Sequence, residues 1–358
     1  MRILHVVHTP RYSGAEMLVA SLTSAHASMG HVSAVAAINP PEEDFLPVTA
    51  AQAKNGIEWL CPGHALSKLE RLSFLKNVAT KFQADVIFAH SVIPAAYARA
   101  VNMGRVITVL HSADEDDYQS KYFIYAEKLL QFRSSGVIAV SEVARQNYKN
   151  KFTRPKTIHI PNGIKTSDIL SAKNTRQECR ADLGFDSSEY VVVQIGRING
   201  VKQQHLSLAA IAPLIKNNKN LHFLIAGLTE DNDYLQNLKQ IAATEEIQHN
   251  IHFLGPRKDV ANLLAAADLY LMPSLKEAHS VAMIEALASG LPIVASEIPS
   301  FQYIKSFEGT ELVIPDEITS FTGAINKMTS EKNRFNRSLK GLDIEDTAIA
   351  YLKFAHEA

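Results

Sequence analysis

Two short segments in the second half of the sequence carry the residue types that a charge-handling site needs. The first runs Val191-Val192-Val193-Gln194-Ile195-Gly196-Arg197-Ile198-Asn199-Gly200-Val201-Lys202. An apolar strand delivers a glycine turn, and two cations, Arg197 and Lys202, stand at the entrance to the next helix. Cations placed there can neutralise a departing diphosphate without a metal ion. The plainer reading is two solvated bases in a strand–helix loop. The second segment runs from Pro273 to Val294 and holds Glu277 at a turn and Glu285 inside a helix that starts near Ser280 and stops at Gly290. If the whole interval were helical the carboxylates would stand about 12 Å apart. That separation spans a sugar at one end and a ribose at the other, with a diphosphate between. The helix start adds free N–H groups and the positive end of a dipole. Here the plainer reading is a surface helix with two unrelated glutamates.

Histidines offer a competing chemistry. The chain has 14 of them, and His5, His8, His90 and His111 fall at or near expected strand ends. A metal-dependent hydrolase would combine such a cluster with a carboxylate. The sequence has no HxH or HExxH spacing, however, and His111-Ser112 after a strand reads equally as a loop that hydrogen-bonds a ligand. The acids Asp114, Glu115, Asp116 and Asp117 that follow read as a solvated loop.

These residues need a frame. At 358 residues, 46% of them hydrophobic, the chain can fill two cores. Short β-branched runs alternate with longer amphipathic stretches, the pattern of βαβ units and parallel sheets. Strands are expected at 3–8, 32–38, 57–60, 85–90, 105–110, 136–140 and 157–160, and again at 190–195, 222–226, 251–254, 269–272, 292–295 and 312–314. The stretch from Pro161 to Gly184 opens on a Pro-Asn-Gly turn and has no strong periodicity, so it reads as the linker. Two α/β lobes joined there would present strand-end loops to a cleft. Residues 66–82 place Leu66, Leu69, Leu72, Leu75, Val78 and Phe82 on one helical stripe with Lys68, Arg71, Lys76 and Lys81 mostly off it. Such a basic amphipathic helix can lie on a membrane; packing on the sheet is the plainer expectation. The first eight residues are too short and polar for a signal peptide or a span. Cys61 and Cys179 make neither a disulfide framework nor a zinc spacing, which suits a cytoplasmic protein. The net charge of −1 divides into +5 over residues 1–165 (18 basic, 13 acidic) and −6 over the rest (18 basic, 24 acidic). A mildly basic first half could favour an anionic acceptor or a membrane surface; so small an imbalance reads more plainly as incidental, and no nucleic-acid partner is expected.

Taken in order and spacing, the two segments resemble the donor half of glycosyltransferase family 4, with its GR-x4-K and E-x7-E motifs. Ser13-Gly14-Ala15-Glu16 resembles the family's first glycine loop, Pro161-Asn162-Gly163-Ile164 its interdomain turn, and Asp343-Ile344-Glu345-Asp346-Thr347-Ala348 its closing helix. The resemblance implies an α/β fold of the GT-B kind, two Rossmann-like parallel-sheet lobes facing a central cleft. Residues 1–165 would bind the acceptor and 166–335 the nucleotide-sugar donor, with 336–358 as a tail helix returning to the first lobe. It also implies that Arg197 and Lys202, after Gly196, meet the diphosphate and that Glu285 holds the ribose. Glu277 would hold the donor sugar, helped by backbone N–H groups of Ala278, His279 and Ser280. Gly227 and the turn Gly255-Pro256-Arg257 would wall the base pocket, His111 would lie near the donor sugar, and Gly14 would let its loop approach the diphosphate. One departure is Ala278-His279-Ser280 after Glu277, where the family usually has glycine and an aromatic or small residue. Alanine resists a positive φ, so the loop there should differ in shape, which leaves the identity of the donor sugar open but not the diphosphate site.

The activity implied is retaining transfer from a nucleotide-diphosphate sugar, uridine diphosphate by default, to a hydroxyl of a sugar, lipid-linked or small-molecule acceptor. Polysaccharide, lipopolysaccharide or glycolipid assembly would be its setting, in the cytoplasm or on the cytoplasmic membrane face through the first lobe. No cofactor or metal is expected, the nucleotide sugar being a substrate. With no carboxylate nucleophile in sight in the first lobe, front-face departure is the expected mechanism. A sugar-nucleotide epimerase on the same fold, a metal-dependent hydrolase and a sugar-binding protein are the alternatives.

Overall fold

The structure, a computed structural model, describes residues 1–112, 118, 120–173, 175–329 and 334–358. The acidic run 114–117 therefore lies outside the described residues. The chain forms two compact units: Met1–Ile164 with Ala278–Val281 and Lys340–Ala358, and Lys165–Glu277 with Ala282–Leu339.

The first unit is built on β1 (Arg2–Val7), β2 (Val32–Ala37), β3 (Glu58–Leu60), β4 (Val86–His90), β5 (Val106–Leu110), β6 (Ser134–Ala139) and β7 (Thr157–His159). They form one parallel sheet in the order β3-β2-β1-β4-β5-β6-β7. Every residue of β4 and β5 is buried, as expected of central parallel strands covered on both faces. On one face Ile3, Phe88, Ile107, Val109 and Ile138 pack with Leu18 and Leu22 of the helix Gly14–Ser28, and with Tyr351 and Phe354 of the chain's closing helix, Ile344–Glu357. Glycine seats that helix: a Cβ on Gly163 would stand 2.3 Å from the Asp343 carbonyl oxygen. The opposite face carries Leu4, Val6 and Ile87 against Leu75, Val78 and Phe82. Those three lie on the helix Lys68–Phe82, which opens on a reciprocal Ser67–Glu70 capping box. The latter half of its apolar stripe thus packs on the sheet, while Leu69 in its first turn is 78% exposed.

The second unit has β8 (Tyr190–Ile195), β9 (Leu221–Ala226), β10 (Ile251–Gly255), β11 (Leu269–Met272), β12 (Ile293–Ser296) and β13 (Thr310–Val313) in the parallel order β10-β9-β8-β11-β12-β13. Strand ends differ from the sequence reading by one or two residues, the usual uncertainty of a boundary. The stretch read as a linker is different in kind. It folds into the helices Thr166–Lys173 and Arg176–Asp182. Ala172 and Cys179 pack there on Ala265 and Ala266. Arg176 and Arg180 converge on Asp268 at 2.6 and 3.1 Å. Small residues and arginine pairs make an attachment with little apolar periodicity, which is why it read as irregular.

A second polar attachment organises the first unit. Arg99 of the helix Val92–Ala100 grips Glu127 of the helix Lys121–Leu130 through two bonds of 2.8 and 2.6 Å, and both side chains are fully buried. The hydroxyls of Tyr148 and Tyr118 donate to the same carboxylate at 2.7 and 3.2 Å. Breaking one partner of such a pair leaves an uncompensated buried charge, which costs about 3–5 kcal/mol. Glu127→Leu should therefore lower the urea unfolding free energy by about that much, and adding Arg99→Met should recover most of it.

Candidate active site

Strand order in the second sheet reverses between β8 and β11: β9 and β10 extend from one side of that pair, β12 and β13 from the other. Loops leaving the carboxyl ends of neighbouring strands diverge at such a point and leave room for a ligand. The chemically endowed residues sit on those two loops. β8 runs into Gly196-Arg197 and β11 into Glu277. The Lys202 ammonium donates to the Glu277 carboxylate, with both side chains largely buried. Its backbone is pinned as well, its N–H donating to Asn199 Oδ1 (3.2 Å) and its carbonyl accepting from Gln194 Nε2 (2.7 Å). Ser207 Oγ in turn donates to Gln194 Oε1 at 2.7 Å. The Leu275 N–H reaches the Val201 carbonyl at 2.9 Å, tying the two loops together.

Around this pair the strand ends close in. Gly227, just past β9, has φ +155°, and a Cβ there would fall 1.9 Å from the Gly196 carbonyl oxygen. Only glycine fits that approach. Arg197 is half-exposed, and its Nη1 donates to Glu230 Oε1 at 2.6 Å, while Asn199 Nδ2 donates to Glu230 Oε2 at 2.7 Å. Arg257 is clamped by Asp259 through bonds of 2.7 and 2.5 Å. Glu285 lies on the helix Val281–Ser289, and burial alone lifts its carboxyl from 4.5 to about 7. Tyr270 of β11 is fully buried and held far above the usual phenol range, first by burial and then by the charges of Glu277 and Glu285. Its hydroxyl stays protonated and is directed at the Ile195 carbonyl, 3.4 Å away.

In the first unit Gly14 opens the helix Gly14–Ser28, and a Cβ on it would meet only Val281, at 3.9 Å. Ala278, His279 and Ser280 belong to this unit. His279 is buried and clamped by Asn162, whose N–H reaches His279 Nδ1 at 3.2 Å and whose Nδ2 reaches the His279 carbonyl at 2.8 Å. His111 follows β5 directly, and burial lowers its imidazole to about 4.

Residues 175–340 match the group 1 glycosyl transferases, and residues 12–168 match Glycosyltransferase Family 4. The chain is a family 4 glycosyltransferase. It is 26% identical over 243 residues to the alpha-monoglucosyldiacylglycerol synthase of Streptococcus pneumoniae, covering 62% of this chain and 54% of that protein. It is 25% identical over 289 residues to the UDP-Gal:alpha-D-GlcNAc-diphosphoundecaprenol alpha-1,3-galactosyltransferase of Escherichia coli, covering 76% of this chain and 74% of that one. Against several curated relatives, then, the matched stretch spans only about half of the relative's length. Among solved structures, Anabaena HepE in complex with UDP superposes with a TM-score of 0.77 at 19% identity, covering 100% of this chain and 98% of that one. WaaG, a glycosyltransferase involved in lipopolysaccharide biosynthesis, superposes with a TM-score of 0.71 at 16% identity over 98% of this chain and 95% of that one. The fold of this glycosyltransferase is GT-B.

Of the residues singled out in the sequence of this glycosyltransferase, Gly196, Arg197, Lys202, Gly227, Arg257, Glu277 and Glu285 fall in the second unit, and Gly14, His111, Ala278, His279 and Ser280 in the first. The structure brings Lys202 to Glu277 and Gly196 to Gly227, and it gives Arg197 and Arg257 carboxylate partners. Ala278, His279 and Ser280, which directly follow Glu277 in sequence, pack with the first unit, where Asn162 Nδ2 donates to the His279 carbonyl. Ala278 has no positive φ. Glu230 and Tyr270 were missed. A carboxylate three residues beyond Gly227, at the end of an apolar strand, was the available signal for Glu230. Of the histidines near strand ends, His5 and His90 each have both ring nitrogens engaged by other imidazoles.

A carboxyl raised by burial lends stability below its ordinary value and loses it as pH rises through the folded one. Wild type should therefore lose stability between pH 4.5 and 7 on account of Glu285. Glu285→Gln escapes that loss, and at pH 8 it should unfold at higher urea by up to about 3 kcal/mol, the gap closing in acid. Equal stabilities at pH 8 would mean that the carboxylate is solvated.

Proposed function

We propose that this glycosyltransferase moves a sugar from a uridine diphosphate sugar, with retention and without a metal ion, to a hydroxyl of a lipid-linked or saccharide acceptor in cell-envelope glycan assembly. The observation that carries this reading is the Lys202–Glu277 pair at the reversal of strand order, with Arg197 on the same loop as Lys202. A cation and a hydroxyl acceptor side by side suit the two chemically distinct ends of a sugar–phosphate linkage. Names of relatives support the substrate classes: UDP-galactose and a diphosphoundecaprenol glycan for one, a diacylglycerol glycolipid for another. UDP in the HepE complex supports the nucleotide.

In this mechanism Glu277 accepts hydrogen bonds from donor-sugar hydroxyls and Glu285 from the ribose. The diphosphate gains charge as the glycosidic C–O bond breaks. Lys202 and Arg197, the latter turning from Glu230, meet that charge, so they stabilise the transition state more than the ground state. The departing phosphate oxygen takes the proton of the incoming acceptor hydroxyl on the same face of the sugar, which preserves the anomeric configuration.

Removing one such preorganised donor costs on the order of 10²–10³ in rate. Arg197→Ala should lower kcat far more than it raises the donor KM, and Arg197→Ala/Lys202→Ala should fall short of the sum of the singles. These rates are measured with EDTA present, where wild-type turnover should persist. A folded double variant that keeps most of its kcat would move the active site elsewhere.

Membrane contact is the other half of the proposal, and the exposed side chains favour a helix other than 66–82. On Lys121–Leu130 and the turn after it, Tyr122, Tyr125, Leu129 and Phe132 are 74%, 68%, 70% and 57% exposed, at the 3,4,3 spacing of one helix face. Lys121 and Arg133 lie over the outer rings, 5.7 Å from Tyr122 and 5.4 Å from Phe132. Aromatic rings with cations beside them suit the interface of an anionic bilayer. Among the described residues no helix is long and apolar enough to cross a membrane. Cosedimentation with phosphatidylglycerol vesicles should fall at least about tenfold in Tyr125→Ser/Leu129→Ser, since each lost side chain removes about 1.5–3 kcal/mol of burial. Unchanged binding would free this face from the role.

A further inference from the structure

The segments that follow β1 and β2 hold a polar cluster that the donor site does not use. The β1–β2 ladder continues past both strands: the Ile38 N–H reaches the Val7 carbonyl at 3.1 Å, and the Asn39 N–H the His8 carbonyl at 3.0 Å. His8 and Asn39 therefore stand side by side. Strand alternation turns His8 to the face of Leu4 and Val6, the face covered by the helix Lys68–Phe82. On that helix Arg71 comes one turn before the buried Leu75, so its stem follows the apolar stripe to the strand ends. Its Nη2 donates to Asn39 Oδ1 at 2.9 Å. These residues, and Arg11 after β1, all belong to the first unit.

Hydrogen bonding fixes the direction of each group in the cluster. Arg71 can only donate, so it holds the amide oxygen of Asn39 and turns Nδ2 to Thr9 Oγ1, 2.9 Å away. Thr9 Oγ1 accepts there, and its own proton goes to His8 Nδ1 at 3.0 Å. Asn39 Nδ2 faces the same ring nitrogen at 3.4 Å. His8 Nδ1 is thus an acceptor, and the ring proton sits on Nε2. Burial, then the charges of Arg71 and Arg11, lower the ring's affinity for a second proton. What the cluster leaves unspent is donors: His8 Nε2–H and the remaining N–H groups of the two guanidiniums. Among the described residues neither Arg11 nor Arg71 has a carboxylate within ion-pair distance, and Arg71 Nε has no acceptor. Glu16, the acid that responds to Arg11, accepts from Ser13 Oγ instead, and burial raises its carboxyl.

We propose that His8, Arg11 and Arg71 form a phosphate-binding site within the first unit, and that the acceptor carries the phosphate it takes. The assignment to the acceptor rests on the function proposed above; the site itself does not. Two neighbouring cations without a counter-charge repel one another until an anion joins them. A phosphate oxygen accepts the His8 proton, and the guanidinium forks supply charge-assisted bonds to the others. A neutral hydroxyl brings no charge to offset the two cations, so an unphosphorylated saccharide is the poorer ligand.

Calorimetry of the whole chain with glycerol 3-phosphate, set against glycerol, reads the site directly. The phosphate ester should bind and glycerol should not. Arg11→Gln and Arg71→Gln should each weaken binding about tenfold or more, the size of one charge-assisted bond. Lys76→Gln, which removes a charge from an exposed position of the same helix, should leave it unchanged. In wild type, ¹⁵N spectra should show His8 as the Nε2–H tautomer, with that nitrogen shifting as the ester is added; no variant is needed for this readout. Cosedimentation with phosphatidylglycerol vesicles, in a Tyr125→Ser/Leu129→Ser background, separates the two sources of phosphate. A further fall on adding Arg11→Gln/Arg71→Gln assigns the site to a lipid headgroup, and no fall assigns it to a soluble ester. Ester binding that survives the double arginine variant, or a His8 nitrogen that ignores the ester, would overturn the proposal. So would an equal loss of UDP affinity in the arginine variants, which would give these cations to the donor diphosphate. Loss of UDP binding on Arg197→Ala/Lys202→Ala, by contrast, bears only on the proposed donor site.

Discussion

The second unit depends on the adjacency of β8 and β11. Their pairing, Val192 with Leu269 and Val193 with Tyr270, sets side by side two loops whose charged residues are 75 apart in sequence. Slide that pairing by one residue and every side chain on β11 changes face, Tyr270 leaves the Ile195 carbonyl, and Lys202 loses Glu277. A nearly buried ion pair is about neutral for stability, because desolvation offsets attraction. Its presence therefore needs a reason other than holding the fold, and so does Glu285, which burial makes costly to ionise. Both residues sit where the topology opens the sheet. The stabilising work falls to apolar groups such as Val192, Phe223, Leu271 and Val294 behind the site.

What the sequence made legible follows from range. Buried strands in a parallel sheet are continuous apolar runs, and all thirteen segments read as strands are strands in the structure. The E-x7-E and GR-x4-K spacings are local and survive folding unchanged. Side-chain partners are not local. Glu230 meets Arg197 across 33 residues, and Asn162 meets His279 across 117. Nothing in the periodicity of either segment announces its partner, so Ala278-His279-Ser280 read as part of the run that contains them. The helices 166–173 and 176–182 escaped for a related reason, since they attach through Arg176, Arg180 and Asp268 rather than through an apolar stripe. His5, His90 and His111 were visible as histidines near strand ends. Their chemistry was not, because a metal cluster and a hydrogen-bonded file have the same composition and differ only in where the nitrogens point.

The first unit keeps its polar interior in two forms that the same physics permits. Arg99 and Glu127 are charged, and they are tolerable only because the guanidinium is matched bidentately and two tyrosine hydroxyls complete the carboxylate. The hydrogen-bonded file of His26, His5, His90 and His111 avoids charge altogether, since neutral rings that bond one another face only a modest desolvation penalty.

The two networks meet at one turn. His90 is the last residue of β4, and Arg99 lies on the helix that begins two residues later. Between them stands Ser91, with φ 77° and ψ 168°, a backbone conformation that a side chain disfavours by about 1–3 kcal/mol. Left to itself the turn would relax toward a negative φ and swing both the His90 ring and the helix. It cannot do so while His90 is held by His5 and His111 and the helix by Glu127, and while the Ser91 N–H donates to the Val109 carbonyl at 2.8 Å. A serine without a cap bond to its own helix thus sits in a glycine-like conformation because the groups on either side leave it no other. On this argument the geometry at His111 depends on Arg99 as well as on the imidazoles, through the turn that both networks hold.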